Sequence, residues 1–441
     1  MTFKQEAAMK RRETIKLGLG SLAYFSASAT TPNWIIRSAQ AIPNPGGENR
    51  VLVILQQSGG NDGLNTVIPR TDPLYYDPSV RSGVAIPAGQ EINLDGLNGF
   101  HPKLLALADW YQLGHVAIVQ NVGYPNPDLS HFSSTDYWEF GSVPGIPLPI
   151  QGWVARFYDN TCLGAPDPYS LQMMASGIST VPDALEGTTG YTAPAVRKAS
   201  TYALSMDSDD ALRRQSITNL NSIATTDPVI DFLQRSESTA EASAVDVAVA
   251  SGQPVLKPYP AGSLGDGLQL VSQIIRAGFP TRIFYVSQGG YDTHANQVGA
   301  DPVNTGDHQA LLAAFDQAVD AFLYEMQVSG NLDRVLLMTF SEFGRRVAAN
   351  GSLGTDHGAA NSLMVMGGKV QGGIYGGQPN LADLQKGNLK HAIDFRAVYS
   401  EVLEDWFGTD PAPVFGQSFD LAPVQFIQGE ENSGVAGWRL Y

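Results

Sequence analysis

The chain has 441 residues, 43% of them hydrophobic, which allows a large core and argues against disorder. Its formal charge of −16 repels nucleic acid and anionic lipid, so neither is expected as a partner. One cysteine, Cys162, excludes an intrachain disulfide and a thiolate metal cluster, leaving His, Asp, Glu, hydroxyl or water to hold any metal.

In chain order, the first feature is Arg11-Arg12, followed by Thr14, Ile15, Lys16 and a mildly apolar run from Leu17 to Ala29. This pattern reads as a twin-arginine export signal, with Ala39 and Ala41 forming an A-x-A cleavage site. Residues 1–41 are then a leader handled by the twin-arginine translocase, and residues 42–441 act in the periplasm or outside the cell. The alternative is a basic N-terminal helix that stays attached. The apolar run is too short and too rich in Gly and Ser to span a membrane.

Four later runs predict buried strands: Val51–Leu55, Val116–Gln120, Ile283–Ser287 and Val335–Phe340. They are aliphatic without alternation, as in a parallel sheet covered on both faces. Helical patterns lie between them, notably after His101 and from His308 to Gln327. The alternation predicts a three-layer α/β/α fold with a mostly parallel sheet. Residues 203–265 are rich in Ser, Asp, Ala and Thr and predict a helical insertion on that sheet, as a cap or as part of an outer helix layer.

The unusual polar clusters follow these strands, where open α/β sheets bind ligands. "QQSGGNDGLN" brings Asp62 after the first strand. "NVGYPNPDLSHF" brings Ser130 and His131 after the second, at the start of a helix running towards Phe140. "QGGYDTHANQ" brings Asp292 and His294, and "SEFGRR" brings Glu342 and Arg345. "GTDHG" brings Asp356 and His357, directly before the apolar run Ser362–Gly367. Each cluster alone is explained by turn chemistry, and Ser130 alone by helix capping. Turn chemistry does not explain why all of them stand at strand ends.

"LVILQQSGGNDGLN", "SHF", "YDTH", "SEFGR" and "TDHG", with a twin-arginine signal, resemble the bacterial family called domain of unknown function 1501. That family is in turn similar to the alkaline phosphatase and sulfatase superfamily. The resemblance implies an alkaline phosphatase-like fold and hydrolysis of phosphate or sulfate esters, small-molecule or polymeric, with divalent metal. It also implies roles by position. Asp62 matches a metal carboxylate beside the nucleophile, Ser130 the nucleophile, and Asp292 the next metal carboxylate. The histidine expected four residues after Asp292 is replaced by Asn296, and His294 stands nearby instead. The Asp-His pair expected after the fourth strand is Glu342-Phe343, and Phe343 cannot bind metal. His357 resembles the superfamily's last metal histidine.

The implied sites are therefore Asp292, His294 and His357, with Asp356 as ligand or orienter, and a histidine-poor group of Asp62, Glu342 and Ser130. An oxygen-only group suits Mg²⁺, Ca²⁺ or Mn²⁺ better than Zn²⁺, and the residue types leave all four open. His131 is a general acid, a ligand or a packed edge residue. Arg345 clamps an anionic group or makes an internal ion pair. No C-x-P-x-R is present for formylglycine, and no G-x-S-x-G for an α/β-hydrolase serine. The competing expectation is a non-catalytic metal-binding envelope protein that retains the fold, motivated by Phe343 and the shifted His294.

Overall fold

Strand β1 (Val51–Gln57) is buried at all seven positions and lies at the centre of the main sheet. The computed structural model describes residues 50–161, 172–187, 193–202, 215–216, 219–220, 222–416 and 421–428, all within the unit Pro43–Tyr441. The expected leader and Cys162 lie outside the described residues. The other main strands are β2 (Val116–Gly123), β3 (Met173–Ser176), β4 (Ala195–Val196), β5 (Ile283–Gln288), β6 (Val335–Phe340), β7 (Asn361–Gly367), β8 (Gly373–Tyr375) and β9 (Ile393–Asp394). Their spatial order is β8-β2-β7-β6-β1-β5-β3-β4, with β9 also beside β2. The four runs expected as strands are β1, β2, β5 and β6, each a residue or more longer than expected except β6.

Alternate residues of these strands face opposite layers. Leu52, Ile54, Tyr285, Leu336 and Met338 share one core with Trp138 of α2 (His131–Phe140), Trp153 and Phe157 of α3 (Trp153–Thr161), and Phe395 and Val398 of α7 (Phe395–Glu401). The other face is covered by α1 (Leu105–Gln112), α5 (Ser263–Arg276) and α6 (Asp307–Val328), which pack on one another. Each buried aliphatic in these layers contributes roughly 1.5–3 kcal/mol. This is the three-layer α/β/α arrangement with a mostly parallel sheet. Within the stretch expected as a helical insertion, α4 (Pro228–Ser251) lies against α5, and Gln273 Nε2 donates to the Ser251 carbonyl at 3.1 Å. Residues 203–214 fall outside the described residues.

Sheet direction decides where the polar clusters go. β1 runs parallel to β5 and β6, so the loops after all three emerge at one end. β7 is antiparallel to both β6 and β2, the single reversal among the described main strands. A reversed strand begins where its neighbours finish. The hairpin of Gly344–Ala349 and Thr355–Gly358, which precedes β7, therefore also stands at that end.

The β1 and β5 loops then close tightly on one another. Ser58 N donates to the Gln288 carbonyl at 2.9 Å, and Tyr291 N donates to the Ser58 carbonyl at 3.1 Å. Gly59 has φ +122°, and a Cβ there would lie 2.3 Å from the amide nitrogen of Asp292. Gly59→Ala is expected to lower unfolding free energy by about 2 kcal/mol or more, from the strained φ together with the clash. A urea midpoint unchanged by the substitution would contradict this close approach.

Candidate metal centre

Asp292 is the point on which the rim loops converge. Its Oδ1 accepts from Arg345 Nη2 at 2.8 Å and faces His357 Nε2 at 3.1 Å and His294 Nε2 at 3.2 Å. Its Oδ2 faces His131 Nε2 at 3.4 Å. Partial burial by itself would raise the Asp292 pKa. The hydrogen bond from Arg345 and its charge outweigh it and hold the group at about 2. The carboxylate is therefore ionised throughout the neutral range.

Each histidine is oriented by an oxygen at its other nitrogen. His357 Nδ1 donates to the Leu129 carbonyl at 2.9 Å, since a carbonyl only accepts. His131 Nδ1 lies 2.8 Å from Glu342 Oε1, and His294 Nδ1 lies 3.3 Å from Asp356 Oδ1. With Nδ1 alone carrying the proton, the rings turn the Nε2 lone pairs of His131, His294 and His357 towards Asp292. His294 Nε2 and His357 Nε2 are 2.9 Å apart. Burial lowers the pKa of His357 below its ordinary value, although Asp292 and the Leu129 carbonyl act against this. Lone pairs facing a carboxylate repel unless a cation stands between them. Ligand atoms of His131, Asp292 and His357 lie within 4.8 Å of one another, close enough to share one ion. Imidazole nitrogens with carboxylate-held or carbonyl-held second nitrogens form the donor set that zinc and related transition ions accept.

The fold places these groups through packing and backbone strain. Helix α2 is fixed by Trp138, which stacks on Phe395 at 4.4 Å and on Phe340 at 5.2 Å, and whose Nε1 donates to the Glu342 carbonyl at 3.1 Å. Phe343 is buried beneath two of the histidines, 4.3 Å from the ring of His357 and 4.9 Å from that of His131. Leu129 has φ +60°, a left-handed conformation that costs a leucine roughly 1–2 kcal/mol. Its carbonyl is the one that fixes His357.

The residues expected from the sequence fall into distinct places. Asp292, His294 and His357 come together, and His131 joins them from the other side. Glu342 and Asp356 stand behind rings rather than at the convergence point. Glu342 is buried, and its Oε1 also accepts from Gly59 N at 2.8 Å. Arg345 is buried and committed. Its Nε donates to the Gly60 carbonyl, Nη1 to the Thr355 carbonyl, and Nη2 to the Gly59 and Tyr291 carbonyls and to Asp292. Of the two roles expected for it, the structure shows the internal ion pair.

Asp62 is not brought to the cluster and does not meet Glu342 and Ser130 as the expected second group. Its Oδ2 accepts from Arg81 Nη2 at 2.6 Å and from Gln297 Nε2 at 2.6 Å. Its Oδ1 caps the one-turn helix Gly63–Thr66 through Leu64 N and Asn65 N. Burial opposes ionisation here, but the charges of Arg81 and His308 and the hydrogen bonds from Arg81 and Gln297 hold the pKa below the ordinary carboxylate value. Ser130 stands at the N-cap of α2 and makes no side-chain cap hydrogen bond. It is flanked by Leu129, which holds His357, and by His131. Next to the cluster is a cleft of about 450 Å³ whose lining includes Ser58, His131, Phe132, Asp136, Asp292 and Glu342.

Residues 197–415 match the family described as protein of unknown function, DUF1501. That span contains the motifs around Asp292, Arg345 and His357, whereas those around Asp62 and Ser130 precede it. No curated protein matches the chain. Among solved structures, it is similar to a protein in the alkaline phosphatase superfamily from Vibrio parahaemolyticus, at 11% identity over 83% of this chain and 71% of that one, with a TM-score of 0.32. It is also similar to a phosphonate monoester hydrolase from Silicibacter pomeroyi, at 10% identity over 85% and 78%, TM-score 0.36. A sulfatase from Pseudoalteromonas sp. aligns at 10% identity over 96% and 75%, TM-score 0.36.

Two substitutions separate orienting from structural carboxylates. Glu342→Gln is expected to weaken zinc binding about 10–100-fold, read by competition with a chromogenic chelator. Asp62→Asn leaves Arg81 buried without its counter-charge, so it is expected to cost about 3–5 kcal/mol of stability with zinc stoichiometry retained. Loss of zinc from folded Asp62→Asn protein would restore Asp62 as a ligand.

Proposed function

We propose that this chain, a member of the DUF1501 family by the match over residues 197–415, is an exported metal-dependent hydrolase of a phosphate or sulfate ester. The observation that carries the reading is the convergence of three imidazole Nε2 atoms on the Asp292 carboxylate, each ring held by an oxygen at Nδ1. A divalent metal there would be held by His131, Asp292 and His357, with His294 adjacent, and would supply Lewis acidity towards the ester oxygens.

The chain's own residues supply position and charge. Arg345 fixes Asp292, so the carboxylate keeps one orientation. Glu342, Asp356 and the Leu129 carbonyl keep the Nε2 atoms of the three rings turned inwards. Ser130 is the proposed nucleophile. It begins a ten-residue helix with no side-chain cap, so the first-turn N–H groups remain available to oxygens of the ester. Its hydroxyl would attack phosphorus or sulfur, the alcohol would leave, and water would release the acid from the serine. His131, next in the chain, serves this reading as a ligand rather than as a general acid.

Export by the twin-arginine translocase, with action in the periplasm or outside the cell, belongs to the same proposal and rests on Arg11-Arg12 and the run after them. Among the described residues, no helix is long and apolar enough to cross a membrane. A specific observation favours a second reading, a non-catalytic protein retaining the fold and one metal. Phe343 fills the space under the two rings where the resemblance implies a further metal histidine.

The deciding experiment measures metal by plasma mass spectrometry and turnover on aryl phosphates and sulfates. Near-stoichiometric metal is expected, falling in His131→Ala and in His357→Ala. Ser130→Ala should keep its metal and lose turnover by at least about 10³-fold. Turnover surviving in Ser130→Ala would exclude that serine as nucleophile. Metal without turnover on any ester would favour the non-catalytic protein.

A further inference from the structure

Part of the cleft is lined by one face of α2. Phe132, Thr135 and Asp136 follow at three- and four-residue spacing and all line the cleft. Phe132 is 85% exposed, although buried Ser134 lies two residues on in the same helix. Its ring is a free apolar surface beside the convergence point of the histidines.

The charges of the cleft are unusual for a site that would take an anion. Its described lining residues include the carboxyl groups of Asp136, Asp292 and Glu342 and no lysine or arginine. Arg345 lies behind Asp292 and is committed to that carboxylate and to backbone carbonyls. Arg346, whose charge reaches Asp356, does not line the cleft. With a divalent ion present, the formal charges of the three carboxylates, Arg345 and the ion balance. One negative charge on a ligand can then sit against the ion. A second would share the cleft with the Asp136 carboxylate and meet no lysine or arginine among its described lining residues.

We infer that the cleft selects esters carrying a single negative charge and an aromatic or apolar group laid on Phe132: phosphate diesters, phosphonate monoesters or sulfate monoesters, in preference to dianionic phosphate monoesters. Phe132 and Asp136 are the specificity-determining residues, the first through the alcohol or carbon substituent and the second through charge. This rests on the reading of the cluster as a metal centre.

Binding tests it independently of turnover. Zinc-loaded protein is titrated calorimetrically at pH 8.5 with methyl phenylphosphonate, a monoanion, and with phenylphosphonate, a dianion bearing the same ring. The monoanion is expected to bind at least tenfold more tightly. Asp136→Lys should shrink or reverse that ratio. Phe132→Ala should weaken both ligands roughly tenfold with zinc content unchanged. Equal or tighter binding of the dianion, indifference to Phe132→Ala, or no binding of either ligand to zinc-loaded protein would overturn the inference. Failure to load zinc would overturn it together with the metal centre. Binding in the expected order without hydrolysis of the matching aryl diesters would retain the specificity and remove only the hydrolase.

Discussion

A guanidinium taken out of water needs oxygens at its nitrogens, and Arg345 meets that need at all three by drawing three chain segments onto itself. The Gly59-Gly60 turn, the Tyr291-Asp292 turn and the Thr355 strand all give it oxygens. Breaking one such contact leaves a buried cation short of a partner, which costs more than the contact contributes. The rim is thus held from beneath by one side chain. Asp292 can present its carboxylate to three histidines because its own position is decided elsewhere.

The three histidines depend on that support in different ways. His357 arrives on the hairpin before the reversed strand, and its ring is set by a carbonyl from the loop before α2. His131 comes from the helix itself and is backed by a buried carboxylate. His294 shares the Asp292 turn and is backed by Asp356 at the surface. Electrostatics, strain and packing act together at one place: Leu129 accepts an unfavourable φ where its carbonyl is required, and Phe343 supplies a flat apolar floor where a polar side chain would compete for the rings.

Much of the framework was legible in the residues. Short aliphatic runs named the central strands because strands buried on both faces can contain little else, and Val335–Phe340 has the same bounds in the structure. The clusters around Asp292 and His357 were legible because loops after parallel strands share one end. Three things were not. The partner of Asp62 is Arg81, 19 residues on, in a stretch with no periodic signal, so a capped and paired aspartate looked like a metal carboxylate. The backing of His357 by Leu129 depends on a backbone angle, which leaves no trace in residue type. By sequence alone Phe343 stands only as a missing ligand, because sequence position shows what a side chain replaces and not what it packs against.

The gathering of His131, Asp292 and His357 has a consequence for persistence as well as chemistry. These atoms lie far apart along the chain, and His131 and Glu342 alone are 211 residues apart. They meet only when the sheet is assembled. Any ion they hold therefore binds the folded chain and not the unfolded one, and it stabilises the fold by mass action. With one cysteine in the sequence and no intrachain disulfide available, such an ion is a removable staple. The resistance of the protein to unfolding then varies with the ion content of its compartment.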